Sequence, residues 1–206
     1  MIINIASEYL GADKVTKQKI MDYYNAHIFP LVEPSRKYRI QPNDDWCMAF
    51  ASVVAHKAKI EKFPWEVSTY YALQILEARG VAFTNSHDSK RGDLVFFDWT
   101  GSGTPNHVGF VVSVDDDSII TIEGNKGDTV DVRTVNHTSR SLLAFAPAGE
   151  ALTVDPIQRA RIELARVEAL AWEVIRGVYG DGERRREALG KDYSAVQSMV
   201  NQLLKR

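Results

Sequence analysis

The chain has 206 residues, of which 45% are hydrophobic and 25% are charged, and its formal net charge is −2. This length can bury one substantial core beside a small second unit, and the composition is typical of a soluble globular protein. The chain has no apolar stretch of the roughly 18 residues that a membrane helix needs and no basic, apolar leader at its start, so we expect no membrane partner and synthesis in a reducing cytoplasm.

Hydrophobic spacing through the first sixty residues predicts helices, with Gly11 ending the first and Pro30 and Pro34 marking a loop. Asp44 or Asp45 is the expected N-cap of the helix that follows the loop. The two longest predicted helices of this half span Trp46–Lys59 and Ser68–Arg79.

Beyond residue 90 the hydrophobic period changes to two, which is typical of strands. Asp115-Asp116-Asp117 is expected to form a polar hairpin turn rather than a calcium site. Helices followed by an antiparallel sheet predict an α+β domain. The predicted strands are residues 93–98, 107–114, 118–123, 130–135 and 142–145.

The pattern after the last strand predicts a small three-helix unit. From Ile157 an apolar stripe indicates a helix with Trp172 in the core, and two shorter helices follow at Glu183–Leu189 and Ser194–Leu204. This unit carries ten Lys and Arg against seven Asp and Glu, an excess that we assign to a solvated helical face, so no nucleic-acid partner is expected. The predicted domains are 1–147 and 157–206, with 148–156 as a linker.

Cys47 is the only cysteine of the chain and stands at the start of a predicted helix. A lone thiol cannot form an internal disulfide or a multi-cysteine zinc site, so it is either an inert buried residue or a nucleophile. A helix N-terminus favours the thiolate, because unpaired N–H groups and the helix dipole stabilise negative charge. No second histidine lies at metal-ligand spacing, so neither a metal nor another cofactor is expected.

His107 begins a predicted strand and is the candidate base for such a nucleophile. Glu123 or Asn125, at the end of the next strand, would accept a hydrogen bond from the second imidazole nitrogen and fix its tautomer. The Cys47 N–H is one expected oxyanion donor, and Gln41 is a second. Each residue also has a structural explanation: His107 as a loop histidine, and Glu123-Gly124-Asn125 as a turn.

Taken together, these segments resemble a CHAP domain, the cysteine, histidine-dependent amidohydrolase/peptidase of the NlpC/P60 group. The resemblance covers about residues 1–147 and implies a papain-like fold. It also implies that Cys47 is the nucleophile, that His107 is the base, and that Glu123 and Asn125 orient the imidazole. Its matching segments, in chain order, are Ile5-Ala6 with Gly11, Asp45-Trp46-Cys47-Met48-Ala49-Phe50, Arg91-Gly92-Asp93-Leu94-Val95-Phe96-Phe97, Asn106-His107-Val108-Gly109-Phe110-Val111 and Ile122-Glu123-Gly124-Asn125.

The tail is similar to the CW_7 cell-wall-binding repeat, a three-helix bundle that recognises peptidoglycan. The similarity runs from Leu170 to Asn201, with Tyr179 where tryptophan is common. It implies a peptidoglycan partner, whereas packing within the bundle is the alternative for Tyr193 and Gln197. The candidate wall-binding residues are Tyr179, Arg185, Tyr193, Gln197 and Asn201.

The two resemblances imply a phage or prophage endolysin, a bacteriolytic hydrolase that leaves the host cytoplasm through a holin and cuts an amide bond of peptidoglycan. We favour N-acetylmuramoyl-L-alanine amidase over endopeptidase activity, and a monomer or weak homo-oligomer. The alternatives are a non-catalytic wall-binding protein with an inert Cys47, and a papain-like protease or deamidase acting on proteins. Four aromatic residues are candidates for lining the substrate groove: Trp65, Tyr70, Tyr71 and Trp99.

Overall fold

The structure is a computed structural model that describes residues 2–149, 167–168 and 170–205. The chain divides into two compact units, Met1–Thr153 and Val154–Arg206. The linker expected at 148–156 and the helix expected from Ile157 fall largely on residues 150–166, which lie outside the described residues. The domain bounds therefore stay predictions.

Four α-helices precede the sheet: α1 (Ile2–Ser7), α2 (Lys14–Tyr23), α3 (Cys47–Lys57) and α4 (Thr69–Ala78). The Asp13 carboxylate caps α2 by accepting a hydrogen bond from the Thr16 N–H, and the Ser68 hydroxyl caps α4 in the same way. Helix α3 is buried on nearly every side, so it forms the centre of the core rather than a surface helix.

The chain between α2 and α3 differs from the predicted loop. A π-helix at Tyr24–Ile28 continues α2, and 3-10 turns follow at Phe29–Leu31 and Pro34–Arg36. Each proline lies in the first turn of its 3-10 segment, where its missing N–H removes no hydrogen bond, so it does not end the helical path.

The predicted N-cap of α3 is wrong: the cap residue is Trp46, and it makes no side-chain capping bond. Asp44 instead accepts hydrogen bonds from the Gln41 N–H and the Tyr38 hydroxyl, and Asp45 accepts one from the Asn125 amide. Both carboxylates therefore fasten the preceding loop, which leaves the first N–H groups of α3 without a side-chain cap.

The predicted α+β class is confirmed by a five-stranded antiparallel sheet in the order β4-β3-β2-β1-β5. One face contacts the helices through residues such as Phe96 and Phe110. The other face buries a smaller cluster that includes Phe97, Val111 and Phe145. Both faces are thus covered, with strands β1 (Leu94–Phe97), β2 (His107–Val114), β3 (Ser118–Glu123), β4 (Asp131–Asn136) and β5 (Leu142–Ala146).

The second unit contains helical residues at 170–175, followed by α5 (Gly182–Leu189) and α6 (Tyr193–Leu203), around a small apolar core. The expectation that Trp172 belongs to this core is wrong, because its side chain is 46% exposed. Ala171 and Val174 occupy the inward positions of that turn instead. Among the described residues, no helix combines the length and hydrophobicity required to cross a membrane.

Candidate active site

Cys47 is the first residue of α3 and is almost fully buried. Its thiol lies beside the imidazole of His107, the first residue of β2, and interacts with it electrostatically. The first N–H groups of a helix have no partner within the helix, and those of α3 receive no side-chain cap. The sulfur therefore lies beside an imidazole and at a helix end whose N–H groups and dipole favour negative charge.

The strand register brings His107 and Glu123 together on one face of the sheet. Gly109 of β2 lies opposite Glu123 of β3, and His107, two residues before Gly109, points to the same face. His107 Nε2 lies 3.0 Å from Glu123 Oε2. An ionised carboxylate only accepts, so Nε2–H is the donor and Nδ1 is the nitrogen left for Cys47.

Glu123 is fully buried, yet its carboxylate is ionised. Burial raises the pKa of a carboxyl group, but hydrogen bonds from His107, Arg133 and Thr121 outweigh burial and hold the pKa of Glu123 below its usual value. The Thr121 hydroxyl donates to Oε1 at 2.6 Å, and Arg133 Nε donates to both oxygens at 2.9 and 3.0 Å.

The pKa of His107 is shifted in the opposite direction. Burial of the ring opposes its charging, but the hydrogen bonds and negative charges of Cys47 and Glu123 prevail and raise the pKa of His107 to about 9. The imidazole is therefore protonated on both nitrogens near neutral pH.

Two glycines allow the close approaches that assemble this cluster. A Cβ at Gly109 would lie 2.7 Å from Glu123 Cγ, so a side chain there would displace the carboxylate. A Cβ at Gly124 would lie 2.5 Å from Phe50 Cβ, one turn after Cys47 in α3. The absence of a side chain at Gly109 makes room for Glu123 against β2, and its absence at Gly124 lets the end of β3 approach α3.

Asn125 does not hold the imidazole in the part of the chain that the structure describes. Its Nδ2 donates to Asp45 Oδ1 at 2.8 Å, and its backbone adopts a left-handed conformation with φ of 59°. The residue ties the end of β3 to the loop before α3. Gln41, the proposed second oxyanion donor, is exposed and donates a side-chain hydrogen bond to the Arg39 carbonyl.

Arg133 and its contact with Trp99 are missing from the residues named on sequence grounds. Arg133 lies opposite Thr121 on β4, so it reaches Glu123 diagonally across the sheet face. Its guanidinium also lies 4.7 Å from the Trp99 ring centroid, and Trp99 lies 6.2 Å from the His107 ring. A buried carboxylate in a strand requires cationic or hydrogen-bonding partners, and that requirement is the signal that could have pointed to Arg133.

The four aromatic residues predicted for a groove have different environments. Trp99, Tyr70 and Tyr71 are between 42% and 45% exposed, whereas Trp65 packs against Phe63 and His56. Thr69 donates a hydrogen bond to the Pro105 carbonyl, which fixes the start of α4 to the segment that precedes His107. Tyr70 and Tyr71 follow directly after that contact. Among the described residues, no group of three or more His, Cys, Asp or Glu could hold a metal ion.

In the second unit, three of the predicted wall-binding residues, Tyr193, Gln197 and Asn201, share a groove of about 620 Å³ on α6. The exposed Arg186 lines the same groove, with its guanidinium 5.1 Å from the Tyr193 ring centroid. The remaining lining residues are Ser194 and Ser198.

The other two predicted wall-binding residues make contacts within the unit. Arg185 donates to the Gly180 carbonyl and to Gln197 Oε1, so it braces the turn before α5 against α6. The Tyr179 hydroxyl donates to Glu173 at 2.8 Å. The cation that faces the groove is therefore Arg186 rather than Arg185.

Comparison with known families finds two matches. Residues 39–125 match the family model of the CHAP domain, and residues 168–204 match that of the CW_7 repeat. No curated protein matches the chain. A solved structure titled "The crystal structure of Ly7917" aligns with 22% identity and a TM-score of 0.35, over 50% of this chain and 53% of that chain. The alignment thus spans about half the length of each.

Proposed function

Since this chain carries a CHAP domain and a CW_7 repeat, we propose that it is a peptidoglycan hydrolase that cuts an amide bond of the bacterial cell wall by cysteine nucleophilic catalysis. The observation that carries the proposal is the buried series of interactions in which Cys47 lies beside His107 and His107 is hydrogen-bonded to Glu123. A structural cysteine has no need of a charged imidazole held by a buried carboxylate, whereas a nucleophile does.

The geometry supports a two-step reaction. The Cys47 thiolate attacks the carbonyl carbon of the amide, and the resulting oxyanion is stabilised by N–H groups at the start of α3. His107 donates its Nδ1 proton to the departing nitrogen, so the first product leaves as an amine. The thioester is then hydrolysed by a water molecule whose proton His107 accepts, which releases a carboxylic acid and restores the thiolate beside the protonated imidazole.

Glu123 keeps the imidazole oriented during both steps. Its hydrogen bond to Nε2 leaves Nδ1 facing the sulfur, and its negative charge stabilises the imidazolium. Because Glu123 is itself held by Thr121 and Arg133, the ring has one orientation and needs no rearrangement during the reaction.

Replacement of Cys47 by alanine tests the proposal directly. We expect Cys47→Ala to abolish lysis of purified walls, while the protein still sediments with them through residues 154–206. The non-catalytic alternative predicts that neither wild type nor variant lyses walls. Activity on protein substrates, with none on purified walls, would support the protease or deamidase alternative. Unchanged lysis by Cys47→Ala would contradict the catalytic assignment.

We favour cleavage between muramic acid and L-alanine over cleavage within the stem peptide. Both reactions use the same thiolate and imidazole, so the assignment rests on the nature of the products. Mass spectrometry of digested walls distinguishes them: amidase activity exposes a new N-terminal L-alanine, whereas cleavage between residues of the stem exposes a new carboxylate on a peptide residue.

We also propose that the protein acts as a phage or prophage endolysin that reaches the wall through a holin. The combination of a hydrolase site with a wall-binding repeat supports this role. Expression in the cytoplasm of a susceptible bacterium should leave cells intact until a holin is co-expressed, and lysis should then require Cys47. Lysis at the same rate without the holin would argue against holin-dependent release.

A further inference from the structure

The terminal nitrogens of Arg133 are hydrogen-bond donors that the buried group of Cys47, His107 and Glu123 does not use. The Nε of Arg133 makes both hydrogen bonds to Glu123, and within the described part of the chain no hydrogen bond to its terminal nitrogens is present. The Arg133 side chain is 31% exposed, whereas that of Glu123 is fully buried. One edge of the guanidinium is therefore anchored in the protein, and the other carries four N–H donors on the accessible side.

The position of Arg133 relative to the reacting atoms follows from the hydrogen bonds. Cys47 contacts one side of the imidazole and Glu123 the other, at Nε2, with Arg133 beyond Glu123. Arg133 therefore lies on the imidazole side of the sulfur. Since His107 must deliver its proton to the departing nitrogen, the amine fragment of the substrate also leaves on this side.

Trp99 contributes a flat surface at the same place. Its ring stacks on Phe97 with centroids 4.7 Å apart and lies beside both His107 and the Arg133 guanidinium. The Trp99 ring is 45% exposed, so a substrate that lies beside His107 on this side can contact both this ring and the guanidinium of Arg133. Nearby Asp131 forms an ion pair with Lys126 and also interacts electrostatically with Arg133, whose guanidinium is the cation next to the tryptophan.

We propose that the terminal nitrogens of Arg133 bind a carboxylate of the leaving fragment, so that the enzyme prefers stem peptides in which the carboxyl group of the leaving fragment nearest the cut is free. The chemistry is a planar guanidinium fork, which matches a carboxylate with two parallel hydrogen bonds. Anchoring by Glu123 holds the fork in place before substrate binds, so little side-chain entropy is lost on binding. This inference rests on the proposed hydrolase activity.

The test compares two forms of one muropeptide that the wild-type enzyme cuts: in one the leaving-fragment carboxyl group nearest the cut is a free acid, and in the other it is a carboxamide. We expect about tenfold higher kcat/KM for the free acid, mainly through KM. Arg133→Lys keeps the charge but loses the fork, and it should reduce the preference to about two- or threefold. Arg140→Lys, at an exposed arginine that makes none of these contacts, is the matched control and should keep the full preference.

A purely structural role for Arg133 would lower both rates by the same factor and leave the preference intact, and that result would overturn the inference. Equal cleavage of both substrates by the wild type would also overturn it, while the hydrolase assignment would stand. Failure of the wild type to cut muropeptides or walls would instead refute the hydrolase itself. If Arg133→Lys does not fold, raising the salt concentration on the wild type should weaken cleavage of the free acid and leave that of the carboxamide unchanged.

Discussion

The two units of this protein present their functional side chains in opposite ways. In the first unit, Glu123 is fully buried and His107 nearly so, and the Glu123 carboxylate accepts hydrogen bonds from His107, Thr121 and Arg133. In the second unit, Arg186 and Asn201 line an open groove and are exposed. Covalent chemistry needs shifted pKa values and fixed orientation, which burial supplies, whereas recognition of a hydrated polymer needs donors that solvent can reach.

The comparison predicts that loss of one buried group stops catalysis without affecting wall binding. Glu123→Gln removes the charge that orients and stabilises the His107 imidazolium, and we expect kcat to fall by about 10³-fold, equivalent to about 4 kcal/mol. Turbidity loss of purified walls gives the rate, and sedimentation with the same walls gives the binding.

The control for Glu123→Gln is its thermal unfolding curve, since Arg133 loses an ionised partner in this variant. A folded variant that lyses walls within a few fold of the wild-type rate would contradict the role of Glu123. A folded variant that no longer sediments with walls would contradict the separation of the two functions.

The close packing of the first unit predicts a large effect of a single methyl group. In Gly124→Ala, the added Cβ would lie 2.5 Å from Phe50 Cβ, and we expect the free energy of unfolding to fall by about 3 kcal/mol. Gly149→Ala is the matched control, since the nearest atom to its Cβ would lie at an ordinary 3.9 Å. Urea denaturation followed by tryptophan fluorescence measures both, and equal midpoints for the two variants would refute this packing argument.

The pKa of His107 predicts a pH limit that belongs to the first unit. The pKa of His107 is raised from its usual 6.5 to about 9 in the folded protein, so the charged imidazole stabilises the fold. This stabilisation is fully present below pH 6.5 and is lost as the pH rises through about 9. The rate of catalysis should also fall as the pH rises through about 9, because the neutral imidazole has no proton for the leaving amine.

This prediction is tested by measuring kcat and the stability to urea between pH 6 and pH 10, in the wild type and in His107→Gln. We expect the stability of His107→Gln to vary less over this window. Sedimentation of Cys47→Ala with walls measures binding by the second unit, and this binding should not fall as the pH rises through about 9. A wild-type rate that keeps rising above pH 9.5 would be incompatible with protonated His107 as the acid.

The open groove of the second unit predicts small effects of single substitutions. Asn201→Ala should weaken wall binding by about three- to tenfold, the loss of one or two exposed hydrogen bonds, and should leave cleavage of soluble muropeptides unchanged. Gln202→Ala removes an exposed amide next to the groove and should have no effect on binding. Equal binding by both variants and the wild type would remove Asn201 from the wall-binding surface.

The sequence can predict a feature when the residues that indicate it lie within one short segment of the chain. Cys47 before an apolar helix, and His107 and Glu123 at strand ends, are visible in short segments, and so are most strand bounds. Arg133 was missed because its contact with Glu123 depends on the β3–β4 register, which single strands do not reveal.

The incorrect assignments have the same origin. Asp44 and Asp45 have the residue type of an N-cap, but tertiary hydrogen bonds occupy their carboxylates, and Asn125 is the donor to Asp45. Trp172 has core composition, yet smaller neighbours fill the interior of its bundle. Residue type sets what a side chain can do, whereas distant segments decide which of those options is used.

The single sulfhydryl of these 206 residues carries a consequence for redox chemistry. Oxidation of Cys47 to a sulfenic acid would silence the enzyme, and no second cysteine is present in the chain to trap that species as an internal disulfide. Recovery would then depend on a small external thiol, and further oxidation to the sulfinic acid would be permanent. A protein of this design should keep its potency in storage only under a reductant.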